Sequence, residues 1–331
     1  MGKSPYNEPT ETTLMKLFKS KRLGIWFALV AEIVLLTILT SSIGGNSGFE
    51  STFLNWTNLS QVIRNLSFVA IMAVGQSAVI ITAGIDLSVG SMLGLTGVVA
   101  AWLLTHQVAI FPAILIALLT GLAGGYANGI LITQMKLPPF IVTLGMMSIA
   151  RGLAFALTGG ETIRSLPKEF LEVGQGEILH IPIPILVMIL FAVAIGILLK
   201  SSKWGRYTYA IGGNEEAAHF GGINVNLVKI LVYSLCGLST GIAGVLFTSR
   251  FGVGQSTAGG GYELDVIAAC VIGGISLSGG RGTIMGAIVG SVLMGVLRNG
   301  LVLLSVSDYW QQVAIGLVIV AAVVMDRKTK R

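Results

Sequence analysis

Few side chains in this sequence are equipped for covalent chemistry. The three histidines, His106, His180 and His219, stand apart at segment ends or in loops, so no zinc-binding spacing exists. There is no G-x-S-x-G. The phosphate-binding pattern G-x-x-x-x-G-K-[ST] is missing too, since Gly2-Lys3-Ser4 lacks the loop that should precede it. The two cysteines, Cys236 and Cys270, fall in apolar stretches without C-x-x-C spacing or a histidine partner. That pattern points to buried spectators rather than to a disulfide or a metal site. The residues therefore describe a protein that is not an enzyme and binds no cofactor or metal; if ATP drives it, the ATPase is another chain.

Charge inside apolar sequence is the next chemistry to weigh. Glu32, Arg151 and Arg298 lie within long apolar stretches, and Asp86 lies at the end of one. Each would cost about 2.5–3.5 kcal/mol at mid-helix in a bilayer, so each must face protein or water. A proton- or sodium-coupled carrier usually needs a relay of acids in its core helices, for which Glu32 alone is thin support. Arg151 and Arg298 have a structural alternative, bonding carbonyls at helix breaks. Asp86 sits in Gly84-Ile85-Asp86-Leu87-Ser88, where a break frees backbone groups that cannot stay unpaired. A carboxylate accepting several of those N–H groups would keep a low pKa, suiting it to pin a break rather than to carry protons.

One polar stretch reads as a docking element. In Gly213-Asn214-Glu215-Glu216-Ala217-Ala218-His219-Phe220-Gly221-Gly222, Asn214 is an N-cap. Glu215 and Glu216 lie in the first turn, where the helix dipole favours negative charge. Ala217 and Ala218 let a partner approach, and Gly221 and Gly222 stop the helix. The plain alternative is a solvated connector.

The elements that must position these residues are membrane helices. The chain has 331 residues, 53% hydrophobic and only 11% charged, where a soluble domain would carry about a quarter charged. Ten apolar segments can be marked at roughly 24–43, 65–82, 92–104, 110–132, 140–158, 183–199, 229–249, 264–280, 284–304 and 310–325. The expected fold class is an all-α integral membrane protein, with the third and eighth segments short or broken. Placing both termini in the cytoplasm leaves only Arg64, Arg164, Lys168 and Arg250 of the loop cations outside, as the positive-inside rule demands. The net charge of +6 thus sets orientation and does not mark a nucleic-acid binder. The division is a cytoplasmic segment 1–22, a transmembrane domain 23–326 with a cytoplasmic loop 200–228, and a basic tail 327–331. Gly121, Gly125 and Gly129, then Gly237 and Gly241, then Gly286 and Gly290, repeat at four-residue spacing and mark close helix contacts. Pro138-Pro139, and Pro182 with Pro184, mark helix starts. Gly84–Gly90 and Gly274–Gly280 echo one another weakly.

Residues 257–282, from Thr257-Ala258-Gly259-Gly260-Gly261-Tyr262-Glu263-Leu264-Asp265 through Ser278-Gly279-Gly280-Arg281-Gly282, resemble the signature of the ribose-type ABC importer permeases. The resemblance extends over Ala83–Ser91, Pro139–Gly145, Tyr209–Asn214 and Gly222–Val225, in order and spacing across about residues 60–325. It implies a multi-pass protein of the bacterial inner membrane that works as two copies in membrane lipid. A cytoplasmic ABC ATPase that uses the ATP, and a periplasmic sugar-binding protein, would be its partners. The Gly213–Gly222 block resembles that family's coupling helix. A neutral pathway suits a neutral sugar, and Asn65, Gln76, Ser77, Asn128 and Thr143 can exchange hydrogen bonds with hydroxyls; each can equally bond between helices. Asp86, Ser88, Glu263 and Asp265 complete the candidate pathway or gate residues. An ion-coupled secondary sugar carrier would share the hydropathy and is the alternative.

Overall fold

The computed structural model describes residues 21–43 and 51–328. Residues 1–20 of the expected N-terminal segment and 329–331 of the basic tail lie outside the described residues. In chain order the helices are α1 (Lys21–Ile43), α2 (Trp56–Ile81), α3 (Val89–Thr105), α4 (Ile110–Thr133), α5 (Pro139–Thr158) and α6 (Lys168–Gln175). A short antiparallel hairpin, β1 (Glu177–Ile178) and β2 (Ile181–Pro182), follows. Then come α7 (Ile183–Ser201), α8 (Lys203–Gly213), α9 (Glu215–Phe220), α10 (Val225–Phe251), α11 (Tyr262–Ile272), α12 (Ile284–Leu303) and α13 (Asp308–Lys328).

Seven of these, α1, α2, α4, α5, α7, α10 and α12, are long and apolar enough to cross a membrane. The apolar stretches of α3 and α13 are shorter. Burial sorts the bundle into a core and a ring. In α2, 83% of the spanning window is buried, and in α10, 67%; in α4 and α5 the share is 22%, and in α1, 17%. A helix apolar on every face must be enclosed by protein or lipid, and α2, buried throughout Ala70–Ile81, is enclosed by protein.

Small residues set the closest contacts. A Cβ at Gly121 would collide with the Gly237 carbonyl, and one at Gly125 with the Tyr233 carbonyl, so the glycine series of α4 and α10 seat backbone on backbone. Gly286 and Gly290 of α12 meet Gly273 and Ala269 in the same way. Pro139 occupies the first turn of α5, and Pro182 is the N-cap of α7, both starting helices as expected.

Two breaks depart from straight spans. Residues 82–88 leave α2 without regular structure before α3 begins. Residues 252–261 leave α10 through Gly252 (φ +68°) and enter α11 through Gly261 (φ +84°), a region open to glycine. The eighth segment, read as 264–280, is helical only to Ile272, after which 273–283 turns across the end of the bundle. The second segment starts at Trp56 rather than near residue 65, because Asn55 caps it by accepting the Thr57 N–H at 3.0 Å. Sequence patterning also missed α6, the hairpin and α8. The second echoing loop reaches the end of α2, with the Gly280 N–H donating to the Ile81 carbonyl at 2.9 Å, and of the two loops only the second uses glycines at positive φ.

Candidate functional site

Helix α9 forms as its residues dictate. Asn214 is extended and its side-chain oxygen accepts the Ala217 N–H at 2.9 Å. At the other end the Ile223 N–H reaches the Ala218 carbonyl at 3.1 Å and the Gly222 N–H reaches that of His219 at 2.9 Å, with Gly222 at φ +82°. This paired closure satisfies carbonyls that the helix leaves free. Glu215 pairs with Lys229 of α10 at 2.7 Å, an exposed bridge of small energetic weight. The two alanines differ: Ala218 is buried against Ile211, Val225 and Val228, while Ala217 faces outward. Beside Ala217 the Phe220 ring is 86% exposed. Gly213, Asn214, Glu215, Glu216, Gly221 and Gly222 are exposed too.

The helix is not a free appendage. Ser202 caps α8 by accepting the Gly205 N–H at 3.0 Å. The Tyr209 hydroxyl donates to the Gly282 carbonyl at 2.9 Å, and burial raises its pKa. Gly212 sits against the Ile81 carbonyl and the Gly280 nitrogen, with no room for a side chain. The end of α2 and the turn after α11 are thereby both held by α8.

Four of the neutral candidates lie in the protein interior. Gln76 accepts from the Cys236 thiol at 3.3 Å, and Ser77 donates to the Ala73 carbonyl at 2.5 Å. Thr143 donates to the Pro139 carbonyl at 2.9 Å, and Asn128 to the Ser88 hydroxyl at 3.2 Å. All four are fully buried and serve as bonds between or within helices. Asp86 is also buried. One of its oxygens accepts the Ser88 N–H at 2.8 Å and the Ser88 hydroxyl at 2.6 Å, and the other lies 3.4 Å from the Asn128 amide. Only one backbone N–H reaches it, not several. Burial therefore wins and raises its carboxyl above the ordinary value, against the lowering by Ser88 and Asn128. The low pKa expected for Asp86 is corrected accordingly.

The remaining candidates cluster at the other break. Arg151 donates from α5 to the Ser256 carbonyl at 2.5 Å and to the Ala258 carbonyl at 2.8 Å, the carbonyl-bonding role expected of it. Arg298 does otherwise: it pairs with Asp265 at 2.7 Å and stands 5.7 Å from the Tyr262 ring centre. Glu263 places a carboxylate oxygen against Gly90, at the start of α3. Asn65, Tyr262, Asp265 and Arg298 line a cavity of about 230 Å³ between α2, α11 and α12, at the end of the bundle away from α9. Neither Tyr262 nor Arg298 was named for this place, although Tyr262 stands beside two acidic candidates in sequence.

An enclosed core helix stands inside a ring of apolar spans, with two broken segments meeting in the interior, an architecture that transporters share. The family described as "Branched-chain amino acid transport system / permease component" matches residues 58–323. The chain belongs to that family, in its ribose-type ABC importer branch, and is a multi-pass protein of the bacterial inner membrane. The ribose import permease protein RbsC of Escherichia coli (strain K12) is 42% identical over 305 residues, covering 91% of this chain and 93% of the relative. The D-allose transport system permease protein AlsC of the same strain is 34% identical over 321 residues, 96% of this chain and 98% of the relative. The autoinducer 2 import system permease protein LsrC of Yersinia enterocolitica is 36% identical over 282 residues, 85% and 78% respectively. No solved structure matches the chain.

Proposed function

We propose that this chain is the membrane-spanning subunit of an ATP-driven, binding-protein-dependent importer of a neutral monosaccharide of the ribose type. The observation that carries the reading is α9, a capped helix with an outward Ala217 and a bare Phe220, braced through Gly212 against the end of α2 and the turn after α11. A separate ATPase would dock there, in the cytoplasmic loop 200–228. Closing of the ATPase dimer would be passed by α8 to the central helix and to the broken segment together. ATP is bound and hydrolysed by that partner, and this chain holds no cofactor. A periplasmic binding protein delivers the sugar at the opposite face.

Seven helices are long and apolar enough to cross a membrane; on this reading α3, α13 and the bent stretch 252–272 would bring the passes to ten. An even number returns the C-terminus to the side of the N-terminus, which the basic residues assign to the cytoplasm. Each chain offers one α9 and an ATPase dimer offers two docking grooves, so the unit is a two-fold permease pair in lipid. A purified complex with one permease per two ATPases, by native mass measurement, would contradict the pairing.

The test is reconstitution with the ATPase and binding protein in vesicles, screening ribose, allose and other neutral sugars. Sugar-loaded binding protein should stimulate ATP hydrolysis and uptake. Uptake driven by a pH or sodium gradient without ATP would overturn the reading.

A further inference from the structure

We propose that the cavity between α2, α11 and α12 is a transient sugar-binding subsite within the permease itself, built on the Asp265–Arg298 pair. The inference rests on the importer reading above. Asp265 is 3% exposed, and its second carboxylate oxygen has no hydrogen-bond partner among the described residues. An unmatched buried acceptor of this kind is costly unless something else donates to it. Its partner Arg298 spends one nitrogen on Asp265, while 42% of its side chain stays open. A guanidinium has five donors in a planar fork, so donors remain for a ligand. Asn65 is exposed at the same cavity and supplies both a donor and an acceptor. Phe251, half exposed, adds an apolar wall.

The chemistry of that set selects its ligand. The ion pair has no net charge, so neither an anion nor a cation is favoured, whereas neighbouring hydroxyls can donate to Asp265 and accept from Arg298. An aromatic face beside polar groups suits the C–H face of a sugar ring. Polar groups exposed at this depth of an apolar bundle must face water or another chain. At about 230 Å³ the cavity falls below the drug-sized range and suits one small ring. It opens at the end where the binding protein would release its sugar, and Asp265 lies on the broken segment that α8 holds at its far end, so the ATPase stroke would distort it. Sugar would be accepted in one state and shed in the other.

Asn65→Leu is the first test, because Asn65 is exposed and makes no hydrogen bond among the described residues, so the fold should survive. The complete complex in vesicles is supplied with D-ribose and its binding protein, and ribose moved per ATP hydrolysed is measured. The expected result is unchanged ATP hydrolysis with ribose per ATP lowered about fivefold, the loss of one hydrogen bond. Asn65→Leu combined with Phe251→Ala should lower it further. An unchanged ratio in both variants, or hydrolysis and uptake falling together, overturns the subsite. Absence of ATP-driven ribose uptake in the parent would instead sink the ribose-importer reading itself.

Discussion

Helices α9 and α11 are both short, six and eleven residues, yet opposite forces hold them. Helix α9 lies on the surface and is specified by its own ends: Asn214 starts it, and Gly221 and Gly222 finish it. Helix α11 has no side-chain cap; it begins at Gly261 and exists because distant residues satisfy the chain before it. Arg151, more than a hundred residues away in sequence, holds two carbonyls of the approach to α11, and α12 packs backbone against backbone on its far end. A surface helix used for docking can be local in its making. A broken helix inside a bundle cannot, since every freed N–H and C=O there needs a partner.

The sharpest way to break the comparison is to spoil the surface of α9 without touching its ends. Ala217→Arg puts a long cation on the outward face, where it meets no packing in the protein. Insertion and thermal stability should stay at parent values while ATP-driven uptake is abolished. Normal uptake by this variant would remove α9 from the coupling route. Next in size is Arg151→Met, which should leave stability low, by about 3 kcal/mol, because two buried carbonyls lose charge-assisted donors. Thermal unfolding in detergent would show it, and an unmoved midpoint would mean that α11 does not depend on α5. Smaller still is Asn214→Ala. Loss of an N-cap costs about 1 kcal/mol, spent locally on α9. Faster amide exchange confined to residues 215–220, with a partial loss of coupling, is the expected result; exchange changes reaching α11 would show the two helices to be one unit.

The same contrast explains what could be read from sequence alone. The start and stop of α9 stand at 214 and 221–222 because capping residues act within one turn of themselves. The glycine ladders of α4, α10 and α12 were legible because spacing of four keeps residues on one helix face. The end of α11 was not. The apolar run continues past it through Ile275 and Leu277, and the stop lies in Gly273 and Gly274, where Gly274 turns at φ +84° and the Ile275 N–H closes on the Cys270 carbonyl at 3.0 Å. The Asp265–Arg298 pair likewise joins residues whose sequence distance gives no hint of contact. Ala217 and Ala218 looked alike in sequence; only the direction of α10 decides that one is buried and the other open.

The smallest effect concerns Asp86, at the other break. Its carboxylate has Ser88 and Asn128 as neutral partners and, among the described residues, no basic side chain bonded to it. Burial raises its pKa in the folded protein above the ordinary carboxylate value of 3.8. A raised folded pKa means that the folded state holds the proton more tightly than the unfolded chain does. The stabilisation is therefore fully present below the unfolded pKa and is lost as pH rises through the folded one. Asp86→Asn copies the neutral acid in shape and keeps an acceptor for Ser88, but it cannot titrate. Parent and variant should accordingly match most closely in stability at low pH and diverge as pH rises, the parent falling below the variant, which is free of this part of the pH slope. Thermal unfolding of the purified permease across that range measures it. If the parent instead gains stability over the variant as pH rises, Asp86 is held as a carboxylate, and the break at residues 82–88 is pinned by charge after all.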